Sequence, residues 1–317
     1  MASANRSVPV LCYHQVSPAG DITPDTFEGH LRLYRELGYE TISAMHLYRH
    51  LADGVDIPEK AFVITFDDCY LDNWLHALPL LERYGYTGVF FCITGFLHDT
   101  PARTTENAPV LLPSSECYRQ VFRDGNREQF MSLEEIYTLV KSYSHEVYSH
   151  SVSHLPVFRD MEEKERFPEK DHWSMYALYD KVETGTPLYK WVSALSEDGL
   201  IPEKQGLRMR NMEERIRFCR DQMKQSKRDL EELLERECPF FCWPFGGHDP
   251  ISMEVMKECG YLGSFTLDRG PNLYGKDPLY INRIEIKGSR DQKWLKSRLS
   301  TYSSPLRAKI FSRKKKF

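Results

Sequence analysis

Two adjacent carboxylates, Asp67 and Asp68, end the apolar run Ala61–Phe66 (AFVITF). Carboxylates side by side at the end of a buried strand repel each other and lose hydration. A helix N-terminus next door relieves part of that cost, and a cation relieves more. His150 and His154, in His150-Ser151-Val152-Ser153-His154, stand at i and i+4, which on a helical turn places both imidazoles on one face. Two His and one Asp leave coordination positions open to water, the pattern of a catalytic metal rather than a structural one. Two more apolar runs end in residues of the same kind. Tyr13-His14 follows Val8–Cys12, and Pro244-Phe245-Gly246-Gly247-His248 follows Pro239–Trp243. In an α/β barrel the carboxyl ends of the strands share one face, so these four ends converge there.

The elements that must carry them alternate apolar runs with helical patterns, as βα units do. Thr23-Pro24 opens a helix with the stripe Phe27, Leu31, Tyr34 and Leu37, and Gly38 stops it. Ser132 and Glu135 form a capping box, and Met212–Arg236 is amphipathic along Ile216, Cys219, Met223, Leu230 and Leu234. Further strands are expected at Thr87–Ile93, Glu146–Ser149, Gly263–Thr266 and Tyr280–Ile286, with a polar, aperiodic connection over residues 97–130. The expected fold class is α/β, a distorted barrel of seven or eight βα units, with a doubly wound sheet as the alternative. Residues 155–212 break the rhythm and read as an inserted, lid-like segment of a single domain spanning 1–317.

Composition narrows the function. Of 317 residues, 41% are hydrophobic, which excludes a disordered chain, and a net charge of −4 gives no footprint for nucleic acid. Eight cysteines without a CxxC pair read as buried reduced thiols. Neither GxGxxG nor GxxxxGK[ST] follows any strand, so dinucleotide and P-loop chemistry lose their support. No apolar run is long enough to span a membrane, and Met1–Val8 lacks a secretory h-region, so a cytoplasmic chain is expected.

Thr65-Phe66-Asp67-Asp68, His150-Ser151-x-x-His154 and Trp243-Pro244-Phe245-Gly246 resemble the first three motifs of the polysaccharide deacetylases, the NodB-homology group of carbohydrate esterase family 4. Leu11-Cys12-Tyr13-His14 resembles the YH segment of many relatives, and the resemblance runs over about residues 8–290. It implies a distorted (β/α) barrel of the NodB type and metal-dependent removal of an N- or O-acyl group from a sugar. It makes Asp67 the general base, and Asp68, His150 and His154 the ligands of one divalent ion, zinc being the expected metal. It also places the Phe245 N–H at the developing oxyanion. The Trp243 and Phe245 rings themselves read either as platforms for a sugar or as core, with Tyr13 assigned to the substrate side.

Three departures stand out. Cys69 occupies the place of the family's Gly after TFDD. No Arg precedes the Trp-Pro-Phe-Gly motif to orient the base, and Arg283 on the last strand is the substitute. No Leu-x-His occurs near the C-terminus, so His14 or His248 is expected to supply the general acid, the alternatives being bound water or an inactive chain. The expected partner is a carbohydrate bearing an acetamido or acyl group, small or lipid-linked. A deformylase or amidase and a catalytically impaired sugar-binding homologue remain as alternatives. Residues 305–317 hold Arg307, Lys309, Arg313, Lys314, Lys315 and Lys316 among Ile310, Phe311 and Phe317. They read either as a solvated basic end or as a tether to an anionic membrane surface at the inner face.

Overall fold

The computed structural model describes residues 6–203 and 206–313. In chain order the strands are β1 (Val10–Tyr13), β2 (Glu40–Thr41), β3 (Ala61–Asp68), β4 (Gly88–Cys92), β5 (Glu146–Ser149), β6 (Pro156–Arg166), β7 (Pro187–Ser193), β8 (Leu200–Glu203), β9 (Gly206–Met209), β10 (Phe240–Cys242), β11 (Gly263–Phe265) and β12 (Ile284–Glu285). The helices are α1 (Pro24–Glu36), α2 (Ala44–Asp53), α3 (Leu78–Tyr84), α4 (Ser114–Arg119), α5 (Leu133–Lys141), α6 (Trp173–Leu178), α7 (Met212–Leu234), α8 (Pro250–Glu258), α9 (Gln292–Tyr302) and α10 (Pro305–Arg313).

One sheet runs β11-β10-β5-β4-β3-β1-β12, with β2 added to β3, and every pairing in it is parallel. Ile281 bridges to Phe265 and Ile284 pairs with Leu11, so residues 281–284 carry the chain from one edge of the sheet to the other. That short crossing closes a distorted barrel at a seam where no full strand lies. β3 is buried along its whole length, which is why it reads as an unbroken apolar run rather than an alternating one. The helices begin where their caps predict. Thr23 accepts from the Thr26 N–H, and capping boxes at Ser132/Glu135 and Asn211/Glu214 start α5 and α7.

Aromatic packing fills the barrel, with Phe66 stacked between Phe90 at 4.7 Å and Tyr13 at 5.6 Å. Tyr13 is therefore a core residue and not a substrate contact. Its ring is fully buried and its hydroxyl bonds His30 Nδ1 at 3.0 Å and the Tyr34 hydroxyl.

Two segments differ from the sequence expectation. Residues 97–130 contain α4 and a following turn, because Tyr118 and Phe122 stack on each other and pack beside Phe96 and Phe130. Aromatic pairing there does the work that aliphatic periodicity does elsewhere. Residues 156–209 fold as an antiparallel sheet ordered β7-β6-β8-β9, with α6 between β6 and β7. The basic end also has structure up to Arg313. Phe311 packs against Tyr302 at 6.1 Å, under the Arg298 guanidinium at 4.1 Å, so its ring is not free to insert into a bilayer. Lys314–Phe317 lie outside the described residues.

Burial of imidazoles gives the fold a pH signature. It lowers His30 and His145 to about 4 and His154 to about 3, from an ordinary 6.5. An unfolded chain takes up these protons as pH falls through 6.5, while the native state refuses them until about 4, so acidification favours unfolding. Asp72, raised by burial to about 7, takes up one proton in the native state over the same window and opposes the trend. The histidines outnumber it. In metal-free protein the urea midpoint should fall steadily from pH 7 to 4, corresponding to a net difference of about two protons. A flat or rising midpoint would contradict these burial effects.

Candidate metal centre and active site

Sheet register brings the first residues together. Asp68 is level with Cys92 on β4, and Cys92 is level with Ser149 on β5, so Asp68 and His150 leave the sheet at the same height. Backbone strain then aims their side chains. Asp68 and Cys69 both have positive φ (72° and 53°), as do Ser151 and His154 (69° and 51°). Non-glycine residues in this region are costly and persist only where the surroundings hold them. Cys69 thus keeps the backbone conformation for which glycine is the natural residue. The expected helical turn over His150–His154 is not formed; a tight, strained loop brings the two imidazoles together instead.

Asp68 Oδ1 lies 3.4 Å from His150 Nε2 and 3.6 Å from His154 Nε2. This oxygen is buried and has no hydrogen-bond partner among the described residues. His150 Nδ1 donates to the Cys242 carbonyl at 2.9 Å, which leaves the Nε2 lone pair facing inward. His154 Nδ1 is 3.2 Å from the Tyr118 hydroxyl. Burial lowers His154 to about 3, keeping it neutral and able to donate its lone pair. Burial pushes the Asp68 carboxyl up, but the facing imidazoles of His150 and His154 outweigh it and hold it at about 2. One ionised carboxylate oxygen and two imidazole nitrogens around an orphaned buried acceptor fit a divalent ion of the zinc class.

The loop is held from two sides. Thr94 and Gly95 donate their N–H groups to the carbonyls of Ser151 (3.1 Å) and Val152 (2.9 Å). A Cβ on Gly95 would lie 2.4 Å from the Val152 oxygen, so only glycine allows this approach. From α7, Gln222 Oε1 accepts from the Val152 N–H (3.2 Å), the Ser153 N–H (2.9 Å) and the Ser153 hydroxyl (2.8 Å). Sequence reasoning missed both Gln222 and Tyr118. Gln222 sits among polar residues of an amphipathic helix with no local signal, whereas Tyr118 carried one in its i,i+4 pairing with Phe122.

Asp67 sits beside this group. Arg283 grips it with Nη1 at 2.6 Å and Nη2 at 2.8 Å. Arg283 also donates through Nε to the Thr266 carbonyl, through Nη1 to Thr65 Oγ1, and through Nη2 to Cys242 Sγ. All five guanidinium N–H groups are thereby used. Burial pushes the Asp67 carboxyl up, but Arg283 and His150 together hold it below the ordinary carboxylate range. His14 Nε2 is 3.9 Å from Asp67 Oδ2, and its side chain is 38% exposed. It lines a cavity of about 360 Å³ with Gln15, Ser114, Glu285 and Lys287. Asn73 Nδ2 donates to the His14 carbonyl, and Asp72 accepts from the Val16 N–H, so the His14 loop is clamped from the segment that follows β3.

Two expected site residues lie elsewhere. Beyond Gly246 (φ 68°) the chain sets His248 against Trp243 and Tyr280, and its Nε2 pairs with Asp268 at 3.0 Å, so it faces neither Asp67 nor Asp68. Trp243 is fully buried with Nε1 donating to Ser264 Oγ, which makes it core rather than a sugar platform. Phe245 does reach the centre. Its backbone is left-handed (φ 58°), and its ring lies 4.2 Å from His154 and 4.8 Å from Trp191 of β7.

The family model for polysaccharide deacetylase matches residues 54–192, a span that contains Asp67, Asp68, His150 and His154. Over those residues the chain is similar to the polysaccharide deacetylases. Among its relatives, an Escherichia coli poly-β-1,6-N-acetyl-D-glucosamine N-deacetylase is 26% identical over 240 residues, covering 74% of this chain and 29% of that protein. A Bacillus subtilis polysaccharide deacetylase homologue is 33% identical over 88 residues, covering 27% of this chain and 32% of the relative. The chain thus matches about a third of the length of these curated relatives. Its fold is shared with solved structures. A de-N-acetylase from Aggregatibacter actinomycetemcomitans aligns with TM-score 0.66 at 20% identity, over 92% of this chain and 99% of that one. IcaB from Ammonifex degensii aligns with TM-score 0.62 at 20% identity, over 92% and 96%.

The loop supports generate a test for this centre. Gln222→Ala removes three acceptor contacts without touching a candidate ligand. It should weaken divalent-ion binding by roughly 10–100-fold, as loss of groups that orient ligands does, while leaving the circular dichroism spectrum unchanged. Competition titration against a chromophoric chelator reads the affinity, and wild-type affinity in the variant would show that the loop holds itself.

Proposed function

We propose that this chain hydrolyses the N-acetyl group of an acetamido sugar within a polysaccharide, assisted by one divalent ion, zinc, held by Asp68, His150 and His154. The observation that carries the reading is the pairing of two differently treated neighbours. Asp68 turns an unpartnered, ionised oxygen toward two imidazole nitrogens, and Asp67 is locked by Arg283 next to it. The E. coli relative's name supports an amide of a β-1,6-linked glucosamine polymer as the substrate class.

A divalent ion held at this centre would supply Lewis acidity to the attacking water and to the acyl oxygen. Asp67, ionised and rotationally fixed, accepts the proton of the attacking water at its carboxylate. Arg283 acts through Asp67 as a positioning residue, keeping it charged despite full burial. His14 reaches Asp67 from the open side and can deliver a proton to the leaving amine, whereas His248 is turned away toward Asp268. The Phe245 ring and Trp191 cover the His154 side and keep bulk water from it.

Asp67→Asn should retain metal and lose roughly 10²–10⁴-fold in deacetylation rate, measured on β-1,6-linked N-acetylglucosamine oligomers with metal content checked by elemental analysis. Loss of metal in that variant would move Asp67 into the ligand set. His14→Ala should slow amide hydrolysis far more than hydrolysis of an activated acetyl ester, whose leaving group needs no proton; equal losses would remove His14 from the acid role.

Removing the guanidinium in Arg283→Gln leaves Asp67 buried without its cation, so its pKa rises. The acid limb of the kcat/KM profile should move up by about 1–3 pH units. An unmoved limb would mean that the base is another group.

A peripheral, cytoplasmic-side contact through the exposed Leu306, Arg307, Lys309 and Ile310 of α10 is a separate proposal. Co-sedimentation with phosphatidylglycerol vesicles should fall with salt and be lost in an Arg307→Glu, Lys309→Glu variant; indifference to lipid charge would end it.

A further inference from the structure

At the seam where residues 281–284 carry the chain from β11 to β1, a cavity of about 140 Å³ is ringed by Arg269, Arg283, Lys287, Arg290 and Arg298, with Glu285 the one acid among its lining residues. The roof is Trp294 and Tyr302 of α9 and Phe311 of α10. Two of the cations are already engaged. Arg283 has given all five N–H groups to the Asp67 cluster, and Lys287 pairs with Glu285 at 3.0 Å. No carboxylate among the described residues pairs with Arg269, Arg290 or Arg298. Aromatic faces hold two of them in place. Arg290 lies 5.7 Å and Arg298 5.3 Å from the centre of the Trp294 ring, and Arg298 lies 4.1 Å from that of Phe311.

Three guanidinium groups without a carboxylate partner, Arg298 half-buried and Arg269 and Arg290 exposed, converge on one small cavity. Burial makes it harder for Arg298 to keep its proton, and repulsion from Arg269 and Arg290 adds to that. The repulsion has the same physics as the paired carboxylates on β3, with the signs reversed, and it calls for an anion. Planar guanidinium forks match tetrahedral oxyanions, to which they donate pairs of parallel N–H bonds. A dianion balances this much charge better than a carboxylate does. A cavity of about 140 Å³ admits a small group and not a polymer.

We propose that this seam cavity binds a phosphoryl oxyanion, held by Arg269, Arg290 and Arg298. The site is distinct from the deacetylation centre, because Arg283 stands between them with no donor left to share.

Isothermal titration calorimetry of the full chain with inorganic phosphate, at ionic strength fixed with potassium chloride, should show saturable one-to-one binding. Arg298→Gln and, separately, Arg269→Gln should each weaken it at least about tenfold, the loss expected for a charged hydrogen bond. Arg269 is exposed, so its replacement leaves the core intact. Arg166→Gln, on the antiparallel sheet, should bind as the parent does. Methyl phosphate binding as tightly as phosphate would mark the site as one for the terminal phosphoryl group of a larger ligand, and preference for inorganic phosphate would mark a free-ion site. Absence of saturable heat, equal binding of acetate, or unchanged affinity in both arginine variants would overturn the proposal.

Discussion

A buried ion pair with complete hydrogen bonding organises this molecule. Asp67 and Arg283 are both almost fully excluded from water, and two charges survive there only if each donor and acceptor finds a partner. Arg283 meets that condition by touching four residues at three strand ends: Thr65 and Asp67 of β3, Cys242 of β10 and Thr266 just past β11. It can do so only because β12 lies against β1 in the register Leu11↔Ile284 and because Ile281 has just left β11. The closure of the barrel and the charge state of Asp67 are therefore one structural fact. Removing either partner leaves an unpaired buried charge, at a cost of about 3–5 kcal/mol.

The neighbouring group obeys the opposite logic. Asp68 is adjacent in sequence to Asp67 and equally buried, yet its Oδ1 is left without a hydrogen-bond partner and faces two imidazole nitrogens. A left-handed backbone at Asp68 and Cys69 separates the two carboxylates in direction, so that one is neutralised inside the barrel and the other is presented to the loop after β5. That loop stores its own strain at Ser151 and His154. It is held by groups that have no direct chemistry: Gly95 because it lacks a Cβ, Gln222 because one amide oxygen accepts three hydrogen bonds, and the Cys242 carbonyl because it fixes the tautomer of His150.

The surroundings are asymmetric. On the His154 side, Phe245, Trp191, Trp173 and Tyr118 form a continuous aromatic wall, part of it contributed by the antiparallel sheet that interrupts the βα pattern. On the Asp67 side the half-open His14 and its cavity provide access. The proton donation proposed for His14 uses that open side, where its ring approaches Asp67. The wall raises the strength of electrostatic interactions near His154 by removing water.

Sequence alone determined the βα order, the principal strands and helices, and the carboxylate and histidine pairs at strand ends, because each of these is written in short-range patterns of apolar period, caps and adjacent polar residues. It also singled out Arg283 as the partner for Asp67, from the lack of an arginine where the family has one. Other features needed the tertiary structure. The turn that joins His150 and His154 is strained rather than helical, and positive φ at non-glycine residues has no sequence signature. Tyr13 and Trp243 look like surface aromatics beside functional residues, yet the pleat turns both into the core, where Tyr34, His30 and Ser264 satisfy their polar atoms. His14 and His248 are equivalent in sequence, each just past a strand, and only the path of the chain after Gly246 separates them. Gln222 reaches the loop after β5 from 70 residues along the chain, and the seam arginines meet only where the barrel closes. Local patterns encode which elements form, whereas the meeting of side chains depends on register and barrel closure, which are properties of the whole sheet.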